Sequence, residues 1–220
     1  MLAWRVIQLA DSAFPAGGFA HSAGLEAASH LGEARTPVRL DAFVRAHLWN
    51  VGTASLPFVA AAHDAPDEVW SLDVKIDALL TNHVANRASR TQGRAFAATC
   101  ARVFDHPRLA AIAGHARSPA AACHHAPVFG ASLASIDVGR SETLALHAYL
   151  ALRGVVSAAV RLGIVGPLEA QRMQERHGET LDAVLRECSA LAPDEAASSA
   201  PLLDVLGAMH DRLYARLFQS

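Results

Sequence analysis

The sequence predicts an all-α protein, a single-domain bundle of roughly eight to ten helices over residues 1–220. Composition is the first reason: 52% of residues are hydrophobic but only 6% aromatic, with alanine and leucine abundant. Alanine, leucine and arginine hold helical dihedrals at little entropic cost. The second reason is apolar spacing at three and four residues, as in Leu40, Phe43, Val44, His47, Leu48 and Val51. The third is what the pattern lacks: there is no sustained strand alternation, no heptad run and no internal repeat.

Taken in chain order, Leu2, Val6 and Leu9 stand at helical spacing, and Pro15 with Gly17-Gly18 breaks that pattern. The next helix is expected after Thr36-Pro37, a capping residue followed by a proline in the first turn. Residues 76–104 read as helical, with arginines at 87, 90, 94 and 102. Glu142–Ile164 is apolar on nearly all sides, the mark of a central buried helix. Gly163 stands at its stop, and Gly166-Pro167 prepares the next start. "HDAPDE", "RSPAAACHHAP" and "ALAPDEAASSAP" read as loops, and "LLDVLGAMHDRLYARLF" as the last helix.

A formal charge of −2 and a pI of about 6.6 provide no global field toward nucleic acid or anionic lipid. Cys100, Cys123 and Cys188 are odd in number and lack CxxC spacing, against both a disulfide framework and a zinc ribbon. No signal peptide is read at the N-terminus. Leu144–Val165 carries His147, Arg153 and Arg161, too much polarity for an ordinary membrane span. A cytoplasmic protein with neither nucleic-acid nor membrane partners is expected.

Chemistry concentrates in "FPAGGFAHSAGLEAA", Phe14 to Ala28. A phosphate loop would need a preceding strand and a lysine, and both are missing. His21, Ser22 and Glu26 are the residue types of a hydrolytic site. On a helix, however, His21 and Ser22 diverge while Ser22 and Glu26 share a face. The favoured reading is a turn running into a helix, where Gly24, flanked by Ala20 and Ala28, lets another helix pack closely. A hydrolase using His21 would require an acidic or cysteine partner beside it. Cys123, His124 and His125 offer ligands suited to zinc, nickel or copper, but adjacent residues seldom share one ion. Arg87, Arg90 and Arg94 form a basic stripe, more often a solvated face than a partner's seat. Arg153 and Arg161, if buried, demand a paired acid.

The stretch "LADSAFPAGGFAHSAGLEAA" (9–28) resembles the N-terminal signature of the urease accessory protein family UreF. Four further segments resemble the same family in the same order: "NRASRTQGRAFAAT" (86–99), "HHAPVFGASLA" (124–134), "LRGVVSAAVRLGIVGPLEAQRM" (152–173) and "HDRLYARLFQS" (210–220). Little resemblance is seen at 63–75 and 190–203. The resemblance implies an all-α, non-catalytic accessory protein that dimerises, binds UreD (UreH in some systems) and recruits the GTPase UreG. That assembly would deliver nickel to apo-urease, with no cofactor of the chain's own. Carried onto this sequence, it implies partner-binding roles for Phe14, Pro15, Gly17, Gly18, Phe19, His21, Ser22, Glu26 and Arg94. The tail residues Tyr214, Arg216, Leu217 and Phe218 are the implied UreD-facing anchors, aromatics and arginine being enriched at interface hot spots. Gln219 departs from the arginine often found there. Nickel carriage through Cys123, His124 and His125 and hydrolysis through His21 remain the alternatives.

Overall fold

A computed structural model describes residues 4–220, so the expectation for Leu2 lies outside the described residues. They form α1 (Trp4–Ala10), α2 (Leu25–His30), α3 (Pro37–Ala54), α4 (Leu56–Asp64), α5 (Val69–Leu79), α6 (His83–Val103), α7 (Pro107–Ala116), α8 (His125–Ser135), α9 (Arg140–Arg161), α10 (Pro167–Arg176), α11 (Gly178–Cys188) and α12 (Pro201–Ala208), with no strand among them. Two of the twelve, α1 and α2, are shorter than eight residues, which leaves ten longer helices as expected.

The centre is α8, buried along almost its whole length and packed against α4, α5, α6, α7 and α9. Its crossing with α4 is backbone to backbone, since a Cβ at Gly130 would stand 2.2 Å from the carbonyl oxygen of Val59. Phe96 of α6 lies 5.1 Å, ring to ring, from Phe129 of α8. Burial of each such side chain contributes about 1.5–3 kcal/mol. One window of α9 is long and apolar enough to cross a membrane by length and composition, in contrast to the reading that its polar residues forbid it. In this fold 56% of that window is buried, and α9 packs against α3, α4 and α10 as a core helix does.

Several boundaries follow the sequence closely. Thr36 caps α3 by accepting the amide of Arg39, and Pro37 opens it. Gly163 takes φ +70 just past α9, and Pro167 opens α10. Four expectations need correction. First, α1 stops at Ala10, ahead of Pro15, because Asp11 accepts the amide of Ala13 and turns the chain. Second, 76–104 is two helices: α5 stops at Leu79, and Asn82 Oδ1 takes the amides of Val84 and Ala85 to start α6. Third, Gly24 is the N-cap of α2 with φ +82 rather than a helix-interior position. It does permit close packing: a Cβ there would lie 3.2 Å from the Cα of Gly207 in α12. Fourth, the last helix ends at Ala208, and a 3-10 turn over Met209–Arg212 leads into a non-helical tail. Glu26 captures the tail amides that a continuing helix would have bonded internally.

Candidate functional site: the tail docked on the glycine turn

Gly17, at φ +79, turns the chain into a short 3-10 segment, Gly18–Ala20. An L-residue is strained at that φ, and a Cβ there would already press on Ala95 at 3.0 Å. The turn is anchored to α6, where Thr99 donates to the carbonyl of Pro15 and the Phe14 ring packs against Phe96 and Phe104. His21 therefore leaves the turn in extended form, with the backbone groups of Ala20 and Ser22 on either side free to pair.

The C-terminal tail pairs with them. Gln219 N–H donates to Ala20 O at 2.8 Å, and Ser22 N–H donates to Ser220 O at 2.6 Å. Ser22 Oγ donates to the same oxygen at 2.9 Å, and His21 Nδ1 lies 2.6 Å from Ser220 Oγ. In the first turn of α2, Glu26 accepts from Leu217 N–H at 2.6 Å and Phe218 N–H at 3.1 Å. Its carboxylate also meets His210 Nε2 at 2.9 Å, in a pair where both side chains are buried. A carboxylate removed from water requires such full partnering. The Arg161 guanidinium completes the clamp, lying 3.9 Å from the Phe19 ring and 4.1 Å from the Phe218 ring, and donating to Phe19 O.

The clamp decides which expected partner residues are available. In the single chain His21, Ser22, Glu26 and Phe218 are buried in intramolecular contacts, and Phe14 faces inward. Arg94 is drawn to the carbonyl of Ala121, and Arg216 to Asp211 at 3.3 Å. Phe19 (73% exposed), Leu217 (53%) and Tyr214 (107%) point to solvent. Among the described residues Arg161 and Arg153 find no acid: the first takes π faces and a carbonyl, the second the carbonyl of Ala10. Sequence reasoning marked Arg161 as an anomaly in an apolar helix, the one signal that could have found it. His210, scattered among twelve histidines, carried no local signal at all.

Behind the clamp lies a cleft of about 880 Å³, walled by the glycine turn, α3, α6, α8, α9 and the tail. His21, His47, His125 and His147 line it. Burial holds His47 down at about 4, and burial with the nearby His21 does the same for His125 at about 4. Burial, then His125 and His47, push His147 to about 3. His21 is lowered by burial, Arg87 and His210. All four are neutral at pH 7; the His147 ring is bonded to Ser55 Oγ at 2.9 Å and the His21 ring to Ser220 Oγ.

Neither alternative chemistry is assembled here. Beside His21 stands the Ser220 hydroxyl, not an acid or a cysteine, and His21 Nε2 has no hydrogen-bond partner among the described residues. Cys123, His124 and His125 go to separate surroundings. The Cys123 thiol is pushed up to about 11 by burial and by Asp73. The His124 ring is held between Ser89 (3.1 Å) and Asp77 (2.9 Å). The His125 ring joins an aromatic cluster with Phe96, Phe129 and His147. Among the described residues, no three histidine, cysteine or acidic side chains are grouped to hold a metal ion.

Comparison with known proteins fits the architecture. The family model UreF matches residues 34–177. Urease accessory protein F of Arabidopsis thaliana is 39% identical over 221 residues, covering 99% of this chain and 92% of that protein. Urease accessory protein F of Oryza sativa is 36% identical over 219 residues, covering 98% and 84%. Urease accessory protein UreF of an Arthrobacter strain is 30% identical over 217 residues, covering 97% and 95%. The glycine turn precedes the stretch matched by the family model, but the pairwise similarities extend over nearly the whole chain.

Proposed function

The chain belongs to the UreF family of urease accessory proteins, and from that premise we propose that it is a non-catalytic scaffold for urease maturation. In this reading it binds UreD (UreH) through the glycine turn and the tail, recruits the GTPase UreG, and acts as a homodimer in the cytoplasm. The assembly, rather than this chain alone, delivers nickel to apo-urease, so nickel is the cargo and no cofactor of the chain's own is invoked.

The observation that carries the reading is the clamp. Its buried hydrogen bonds hold residues 19–22 and 217–220 side by side, and the same arrangement turns Phe19 and Leu217 outward. An exposed aromatic and an aliphatic on a rigid support suit a protein partner, because little side-chain entropy remains to be lost on binding. Tyr214, fully exposed in the same tail, adds a third anchor. A Ser–His hydrolase is the weaker reading, since no acid among the described residues bonds to His21 and the serine beside it is enclosed by the tail.

The test is co-purification. The full chain should form a complex with UreD and, in the presence of UreD, with UreG. Removing residues 213–220 should abolish UreD binding while far-UV circular dichroism stays essentially helical. Undiminished UreD binding by the shortened chain would refute the tail as the anchor.

A further inference from the structure

A second surface, separate from the glycine turn, is built along α6. A groove of about 410 Å³ runs beside the helix from the Leu80–Thr81 link, lined by His83, Asn86, Arg87, Arg90, Thr91 and Arg94. From Arg87 to Arg94 the helix rises about 10 Å, so the three guanidinium groups follow one another about one turn apart. Two already have internal partners: Arg87 makes a two-pronged contact with Asp211 at 2.8 and 3.1 Å, and Arg94 donates to Ala121 O.

Arg90 differs. It is half-buried, yet it makes no hydrogen bond or ion pair among the described residues. Acids nearby are already committed. Asp211 is shared by Arg87, His83 (3.2 Å) and Arg216 (3.3 Å), so one carboxylate serves three cationic or protonatable groups. Asp77 is held below the usual carboxylate range by Asn86 and His124, with Arg90 a smaller influence from a distance. The groove thus carries positive charge in excess of its own acids, and a half-buried guanidinium is under-hydrated and ready for a carboxylate.

Its shape argues for the kind of anion. Phosphate cradles converge backbone N–H groups on one point, typically at a helix N-terminus. Here the first amides of α6 are already taken by Asn82, and the donors are strung in a line. We propose that this groove is a docking site for an extended, carboxylate-bearing segment of a partner protein, with Arg90 as its central contact. Carboxylates spaced along an extended strand match a row of forks better than one compact phosphate does. The charge at the groove's edge through Asp211 and Arg216 also places it next to the tail, so a partner gripping the tail would have this groove within reach.

The experiment uses the full chain and a short fluorescein-labelled peptide of alternating glutamate and glycine, followed by fluorescence anisotropy. Binding is expected at low salt and should weaken steadily as salt screens it. Arg90→Gln should weaken it roughly threefold to tenfold, the range for a partly buried charge-assisted contact. Thr91→Glu, which sets a carboxylate in the groove from an exposed position, should weaken it without relying on loss of Arg90. Arg102→Gln, at the exposed far end of the same helix, should leave it unchanged. Absence of peptide binding, or an equal loss with Arg102→Gln, would overturn the proposal. Displacement by inorganic phosphate at concentrations too low to screen would reassign the groove to phosphate and overturn it equally.

Discussion

Lowering the pH from about 7 to about 5 should destabilise this fold through the histidines that line its cleft. A histidine in the unfolded chain has its ordinary value of 6.5 and is largely protonated at pH 5, whereas His47 and His125, held at about 4, and His147, at about 3, stay almost entirely neutral while folded. The unfolded state then binds more protons, so stability falls as the pH drops below 6.5 and goes on falling toward the folded values near 4 and 3. At about 1.36 kcal/mol per pH unit, each of these histidines contributes a loss of roughly 2 kcal/mol over that interval. Part of the surface of His47 and His125 faces the cleft, where water softens the penalty, so the three together should cost roughly 3–5 kcal/mol. His21, lowered in the same direction, adds to this. Asp77 and Asp211 do not offset it: their values are depressed below 3.8, so their contribution is intact throughout this window and is lost only in stronger acid. A loss of that size is a large share of a typical domain stability of about 5–15 kcal/mol. Urea unfolding followed by circular dichroism at the two pH values measures it directly. The double variant His125→Gln/His147→Gln should lose about half of the pH dependence. A stability unchanged between pH 7 and 5, or a pH dependence unaffected by the double variant, would refute the neutral-histidine cleft.

Four other perturbations probe the contacts described above. Gly93→Ala would place a Cβ 2.0 Å from the carbonyl oxygen of Cys123, and such a backbone clash should cost about 3 kcal/mol, read as a lower melting temperature; an unchanged melt would contradict the close approach. Glu26→Gln replaces one of the two carboxylate oxygens that meet His210 Nε2 and the Leu217 and Phe218 amides and should cost about 1–3 kcal/mol, with faster hydrogen exchange at the Leu217 and Phe218 amides; unaltered exchange there would show that Glu26 does not hold the tail. Arg161→Ala deletes the cation between Phe19 and Phe218 and should cost about 1–2 kcal/mol, while Arg161→Lys recovers part of it; equal loss in both would argue against a cation–π clamp. Gly17→Val, forced to φ +79 beside Ala95, should weaken complex formation with UreD while overall helicity changes little; full complex formation would place the interface elsewhere.

Local chemistry made most of the helices readable. Thr36-Pro37, Gly163 and Gly166-Pro167 mark starts and stops through groups that act within a few residues, and the structure places them where those groups require. The break before Asn82 was harder to read because periodicity runs on through it, and the local signal is one side-chain oxygen that takes two amides to start the second helix. The tail was least legible. "HDRLYARLF" has good helix formers, but Glu26, about 190 residues away, offers its amides a buried carboxylate instead. The same distance hid the meaning of "FPAGGFAHSAGLEAA". Its histidine, serine and glutamate suggest catalysis when read together, yet each is aimed at the tail rather than at the others. The unpaired Arg161 in an apolar helix was a real clue, although its partners proved to be aromatic faces and a carbonyl and not the acid that burial alone would demand.

The measurement that bears most directly on the account is urease activation with and without this chain. Cells expressing the urease subunits, UreD and UreG should yield nickel-loaded, active urease when the chain is present, and largely inactive, nickel-poor apo-urease when it is absent. Supplying the chain without residues 213–220 should resemble its absence. Full activity and full nickel content without the chain would contradict a role as the maturation scaffold.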